Sequence, residues 1–309
     1  MAKSKHQSLE HRIAALIEAE GLPPEFGRTV ERFYVPLARH LADVRHEQVS
    51  TTLVVGINGG QGSGKSTLAL FLKLLLESGH GLKTVVISLD DLYLTRAERA
   101  ALALECHPLL ATRGVPGTHD IGLGMRLLDQ LTSGGSGAVR LPHFDKAQDD
   151  RAPEADWSVV SGPVDIILLE GWCVGACAQV TADLDAPVNN LETDEDPDGV
   201  WRDHVNAQLA GQYAAFFARL DHLIMLKVPD FDCVQAFRSL QEAKLRAKVG
   251  QGQGGGSGPV AGLMDEGAIG RFIMHYERLT RHMLAEMPSR ADVVMELDRE
   301  QKIECVNYR

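Results

Sequence analysis

A doubly wound α/β fold, with a mostly parallel sheet of about five strands and helices on both faces, follows from three features of the sequence. Short β-branched or aliphatic runs alternate with stretches of helical periodicity. One run, VDIILL (164–169), is apolar throughout, as befits a strand buried on both faces of a parallel sheet. A glycine-rich turn joins the first run directly to a helical pattern.

The elements follow in order. From Leu9 to about His46 apolar residues recur at three and four, and Gly21-Leu22-Pro23-Pro24 breaks the pattern in two. This predicts a helical extension over residues 1–50, read as scaffold, before an α/β domain over 51–309. Strands are predicted at 51–57 (TTLVVGI), 84–89 (TVVISL), 164–169, 222–228 (HLIMLKV) and 292–297 (DVVMEL). Helical stretches between parallel strands imply right-handed crossovers. Two segments read as flexible: acidic, proline-punctuated 183–199 and glycine-rich 250–258. The latter follows a basic helical stretch at about 232–249 that carries Arg238, Lys244, Arg246 and Lys248.

Composition narrows the function. The 309 residues are 44% hydrophobic and 24% charged, so disorder of the whole chain is excluded and a sizeable core is available. The net charge of −11 argues against nucleic acid or an anionic membrane as partner. A local pocket can still hold an anion. No apolar run is long enough to span a bilayer, and MAKSKHQSLEHR lacks the apolar core of a signal peptide, so a cytoplasmic protein is expected. The five scattered cysteines are expected to be reduced thiols.

Gly59-Gly60-Gln61-Gly62-Ser63-Gly64-Lys65-Ser66, followed by Thr67, matches G-x-x-x-x-G-K-[ST] between a predicted strand and a predicted helix. The glycines let backbone N–H groups turn toward phosphate oxygens, and the helix N-terminus adds partial positive charge. Lys65 can reach the β- and γ-phosphates and Ser66 can ligate Mg²⁺. This predicts a nucleoside triphosphate site. Asp90 and Asp91 close the second strand, where ligands of open α/β sheets sit, and a carboxylate there can take a proton from an acceptor hydroxyl. Glu170 closes four aliphatic residues, the pattern of a Walker B strand. Two polar segments, RGVPGTHD (113–120) and PHFDKAQDDR (142–151), lie between these strands and by spacing alone could be surface loops.

Together with GINGGQGSGKST, SLDDLYLT, ILLEGW, FRSLQEAKLR and MDEGAIGRFIMHYERLTRHM, these segments resemble the D-glycerate 3-kinase family. That family lies within the group of P-loop kinases that contains phosphoribulokinase, uridine kinase and pantothenate kinase. The resemblance spans Gly56 to about Met283. It implies transfer of a phosphoryl group from ATP, with Mg²⁺, to a small hydroxylated acceptor, D-glycerate being favoured. It further implies Asp90 as acceptor base, Lys65 and Arg238 as catalytic cations, and Ser66 and Glu170 at the metal. Tyr93, Arg113, His119, Asp120, Asp145, Lys146 and Arg151 would line the acceptor site. The helix with Arg238, Gln241 and Arg246 is similar to a lid that closes over ATP. Alternatives within the group are a nucleoside, a pentose phosphate or pantothenate as acceptor, although only 6% of the residues are aromatic. From other classes, a hydrolysing switch lacks N-K-x-D, L-S-G-G-Q and D-x-x-G elements, and a non-catalytic ATP-binding module would not need all of Lys65, Ser66, Asp90 and Glu170. Hydride transfer is disfavoured because no G-x-G-x-x-G with a ribose-binding acid follows the first strand.

Overall fold

The apolar runs become the strands of one central sheet in the computed structural model, which describes residues 2–48, 52–135, 137–250 and 266–309. β1 (Leu53–Gly59) and β2 (Thr84–Ser88) come first. β3 (Ala138–Leu141), β4 (Phe144–Asp145), β5 (Asp150–Arg151) and β6 (Ser158–Ser161) form two small antiparallel pairs, β3 with β6 and β4 with β5. β7 (Ile166–Gly171), β8 (His222–Lys227), β9 (Val293–Leu297) and β10 (Ile303–Tyr308) complete the set. The central sheet runs β10-β9-β8-β1-β7-β2. Its first five strands in sequence are parallel neighbours, and β10 is an antiparallel sixth at the edge. The sequence predicts no strand at β10, where IECVNY alternates in exposure only weakly.

β1 is buried at every position, and so is β7, because helices cover both faces. On one face the P-loop helix Lys65–Leu75 packs with the N-terminal helices and the start of helix Phe231–Gly250. On the other, helices Ile121–Thr132, Ala214–Phe217 and Glu266–Glu286 cover the sheet. The N-terminal region is helical at Ala2–Ala19 and again through Phe26–Thr29, Val30–Tyr34 and Val35–Glu47, with the break at Gly21-Leu22-Pro23-Pro24 that the sequence signals. Phe26 and Tyr34 meet Phe71 of the P-loop helix, with ring centroids 5.5 and 5.9 Å apart. Burying three aromatic rings together anchors the extension to the helix that follows the phosphate loop.

The acidic segment departs from expectation. Instead of a flexible insertion, 183–199 is ordered structure containing helix Asn190–Glu195, capped by the Asn189 side chain, which accepts from Glu192 N at 3.1 Å. Leu184, Leu191, Glu192 and Asp196 in it are buried. Its buried carboxylates are compensated by arginines: Glu192 by Arg278, 86 residues away in the chain, and Asp196 by Arg202 on the next helix. Of the glycine-rich tract, 251–258 lies outside the described residues. No helix among the described residues is long and apolar enough to cross a membrane, and all five cysteines are free.

Candidate active site

The carboxyl ends of β1, β2 and β7 open onto one cleft of about 720 Å³. Gln61, Gly62, Ser63, Gly64, Lys65, Ser66 and Thr67 form its floor. Gly59 and Gly60 lead into that loop from the end of β1, where Gly60 lies against Val234. Gly62 has φ +75°, and a Cβ there would come within 2.8 Å of Phe237 Cβ. Only glycine satisfies both the left-handed backbone and this close approach. Phe237 and Val234, both buried, therefore pack the first turns of the expected lid helix directly onto the phosphate loop. Arg238 points into the same cleft, with its guanidinium carbon 5.7 Å from the centroid of the Phe272 ring. Gln241 and Arg246 lie on the same helix, Phe231–Gly250, and their side chains fall outside the described ones.

Ser66 Oγ donates to Glu170 Oε1 at 3.0 Å, so the P-loop hydroxyl and the buried strand-end carboxylate meet at one point of the cleft. Both are hard oxygen donors of the kind Mg²⁺ accepts while keeping several waters. Asn58 fixes the approach from below: its amide donates to the carbonyls of Trp172 and Val174, each at 2.9 Å, tying the end of β1 to the turn after β7.

The two adjacent aspartates after β2 do different things. Asp91 turns away and accepts from the backbone N–H of Phe144 at 3.0 Å, pinning the β4–β5 hairpin. Burial raises its pKa. Asp90 faces the cleft and accepts from Tyr93 Oη at 3.1 Å and from Lys146 Nζ at 2.7 Å. Burial pushes its carboxyl up, but Lys146 beside it, with Lys65 behind, holds it below the ordinary carboxylate range. Asp90 is therefore ionised at neutral pH.

Of the residues expected around the acceptor, Tyr93, Arg113 and Lys146 line the cleft, together with Asp90. The other four stand behind that wall. His119 is buried, stacks on the Tyr93 ring at 4.5 Å and bonds Tyr213 Oη through Nδ1 at 2.6 Å. Burial pushes its pKa down to about 3, so the imidazole is neutral. Asp120 caps helix Ile121–Thr132 by accepting from Leu123 N at 2.8 Å and lies 3.5 Å from Arg151. Arg151 donates to the Tyr93 carbonyl at 2.8 Å. Asp145 closes the hairpin turn by accepting from the N–H groups of Ala147 and Gln148, which places Lys146 at the rim.

Three groups of functional neighbours escape sequence reasoning. Trp172, Phe272 and Tyr276 add an aromatic wall to the cleft. Trp172 Nε1 donates to the Gly114 carbonyl at 2.9 Å, and Tyr276 Oη to the Arg113 carbonyl at 3.2 Å. Second, Leu22, Pro23, Phe26 and Thr29 line the cleft beside the P-loop helix, with the β9–β10 turn, whose Gln301 donates to the Gly62 carbonyl at 3.1 Å. The N-terminal extension is thus part of the site as well as scaffold. Third, Arg99, almost fully buried, donates to the carbonyls of Leu94 and Ala111 and to both the carbonyl and carboxylate of Asp149. Asp149, held at φ +55°, also pairs with Arg113, so one buried guanidinium joins the three loops that shape the acceptor end. The ILLEGW and RFIMHYERL stretches contain the aromatic residues, but nothing in their spacing says which way the rings point.

Comparison with known proteins agrees with this geometry. No family model matches the chain. It is 32% identical over 235 residues to the kinase mug58 of Schizosaccharomyces pombe, covering 72% of this chain and 78% of that one. To the chloroplastic D-glycerate 3-kinase of Arabidopsis thaliana it is 29% identical over 294 residues, covering 87% of this chain and 59% of the plant protein. Its fold matches that of a D-glycerate 3-kinase from Cryptococcus neoformans with a TM-score of 0.71 at 23% identity, over 93% and 100% of the two chains. With phosphate loop, strand-end carboxylates and cleft in one frame, the chain belongs to the family of P-loop kinases that includes D-glycerate 3-kinase, and is an ATP-dependent phosphotransferase acting on an alcohol group.

Proposed function

We propose that the chain transfers the γ-phosphoryl group of ATP to the 3-hydroxyl of D-glycerate, giving 3-phospho-D-glycerate and ADP. The observation that carries this reading is a single cleft holding a triphosphate cradle at one side and, at the other, an ionised Asp90 flanked by cations. Ser66 and Glu170 would hold Mg²⁺, and their paired hard oxygens fit it. When bound, that ion neutralises charge on the phosphates. The free cysteines fit a reducing cytoplasm.

In this mechanism the P-loop amides and Lys65 bind the phosphates. Asp90 accepts the proton of the acceptor hydroxyl as its oxygen bonds to the γ-phosphorus and the bond to the bridging oxygen of ADP breaks. Phosphoryl transfer through a loose transition state asks little basicity of the carboxylate and much positioning, which suits an Asp whose pKa is held low. Lys146, on the exposed hairpin tip, bridges Asp90 and the acceptor carboxylate, and Arg113 adds a second cation. Arg238 reaches the transferred group from the lid helix. His119, Asp120, Asp145 and Arg151 hold Tyr93 and Lys146 in place.

ADP release from MgATP, with and without D-glycerate, tests this. Release that depends on glycerate, with 3-phosphoglycerate as product, is expected. The Asp90→Asn protein should turn over about 10²–10⁴-fold more slowly with ATP binding nearly unchanged. The wall of Trp172, Phe272 and Tyr276 favours a second reading, a larger acceptor such as pantothenate, a nucleoside or a pentose phosphate. Stimulation by one of these and not by glycerate in the same assay would select it.

A further inference from the structure

Helix Glu266–Glu286 has two working faces. Phe272 and Tyr276, one turn apart, enter the cleft. Arg278 and Arg271 face the acidic segment 183–199 instead. Every hydrogen bond found for the buried Arg278 guanidinium goes to that segment: to both carboxylate oxygens of Glu192 at 2.8 and 2.6 Å, and to the carbonyls of Asp183 and Ala186 at 2.7 and 2.6 Å. Glu192 is fully buried. Asn189 donates to the Met274 carbonyl at 3.0 Å, and Arg271 makes a two-pronged pair with Glu195.

The far end of the same segment is locked to the other side of the acceptor wall. Asp196 is buried against Arg202, and His107 lies 3.8 Å from it. His107 starts the stretch that runs through Leu109 and Leu110 to Arg113, and Leu109, Leu110 and Val115 pack with Leu191 and Trp201 beneath the segment. The helix and this stretch meet in the cleft itself, where Tyr276 Oη donates to the Arg113 carbonyl.

We propose that segment 183–199 is a clamp that sets the acceptor side of the cleft, with Glu192, Arg278, Asn189 and Asp196 as positioning residues. It fixes the distance between the helix carrying Phe272 and Tyr276 and the loop carrying Arg113, and so the size of acceptor the cleft admits. A buried ion pair is a poor source of stability, because desolvation offsets most of its attraction, but it holds one geometry where apolar contacts would allow several. The nucleotide side is formed by other elements, the P-loop, the N-terminal helices and the β9–β10 turn, so it does not depend on the clamp. This inference rests on the kinase reading of the cleft.

The test compares the full chain with a Glu192→Leu/Arg278→Met double variant, which replaces the pair by apolar side chains without stranding a charge, and with Asn189→Ala, which removes the bonds to the Met274 carbonyl and Glu277 and the cap on Glu192 N–H but keeps both side chains of the pair. KM for the acceptor, KM for ATP, kcat, melting temperature and the titration of a fluorescent ATP analogue are measured for each. The double variant, which also frees the Asp183 and Ala186 carbonyls and the Val188 N–H, should fold but melt below wild type, and Asn189→Ala should fold. In both, acceptor KM should rise about three- to tenfold, with ATP KM and analogue binding within about twofold. The acceptor preference of the double variant should also broaden toward larger hydroxylated acids. If the double variant does not fold, Asn189→Ala decides. Acceptor KM unchanged in the folded variants, or acceptor and ATP constants rising together, overturns the clamp. Wild-type turnover that needs no acceptor overturns the kinase reading and the clamp with it, whereas acceptor-dependent wild-type turnover with an unmoved variant KM overturns the clamp alone.

Discussion

At Asp90 the chemistry is decided by two competing effects on one carboxyl group. Burial opposes its charge, and Lys146 at 2.7 Å with Lys65 nearby favours it, the cations prevailing. Removing Lys146 takes away the nearer cation and the direct hydrogen bond, so Asp90 in Lys146→Met has a higher pKa than in the wild type. A base works only when deprotonated, so the acid limb of the kcat/KM profile should move to higher pH in that variant. A limb at the same pH in both proteins would mean that Asp90 is not the group titrating. Glu170→Gln keeps the hydrogen bond from Ser66 but loses the charge, and half-saturation by Mg²⁺ should then need a higher concentration. An unchanged Mg²⁺ titration would remove Glu170 from the metal site.

Among the elements, the turn 113–118 shows how close packing dictates residue type. Gly114 has φ +140°, and a Cβ there would fall inside the Tyr276 hydroxyl group. Its carbonyl meanwhile accepts from Trp172 Nε1. Gly114→Ala must displace the helix that carries Tyr276 or distort the turn, costing roughly 1–3 kcal/mol as overpacking does. The melting temperature should drop and acceptor KM should rise while ATP binding stays near wild type. A variant that melts and turns over normally would show that the wall yields without cost. The β4–β5 hairpin is a second case. Asp91 holds its first strand and Arg99 its far end, and between them Lys146 is offered to Asp90. A short polar loop would not hold a lysine there, and the half-buried Asp91 and the buried Arg99 do.

For the whole molecule, burial of histidines sets the response to acid. His119, His204, His222, His275 and His282 all have pKa values lowered chiefly by burial, His119 to about 3. In the unfolded chain they titrate near ~6.5. Between those values the unfolded state binds more protons than the folded one, so stability is complete above about pH 6.5 and falls as pH drops toward each folded pKa. His119 alone contributes a slope of roughly 1.4 kcal/mol per pH unit in that window. The melting temperature should therefore decline steadily from pH 7 to pH 5, and less steeply in His119→Gln if that protein folds. A flat profile over this range would contradict the burial of these rings.

What the sequence determined alone are the features set by neighbours along the chain. The P-loop, the strand and helix it connects and the carboxylates at strand ends need only local backbone geometry and periodicity, and all are present, with β1 and β7 starting two residues later than the pattern puts them. β10 was hidden because an exposed edge strand need not carry an apolar alternation. Only the tertiary structure decided the choices that depend on a distant partner. Asp90 and Asp91 are identical neighbours until Lys146 and Phe144 N–H distinguish them. The acidic run 183–199 reads as flexible from its composition because Arg278, the partner that orders it, lies 86 residues from Glu192. In a chain with only 6% aromatic residues, three rings still converge on one wall because burial, and not composition, gathers them. Charge and ring placement are long-range properties: the free energy of a buried ion pair or a packed ring belongs to two segments at once, and one-dimensional spacing records only one of them at a time.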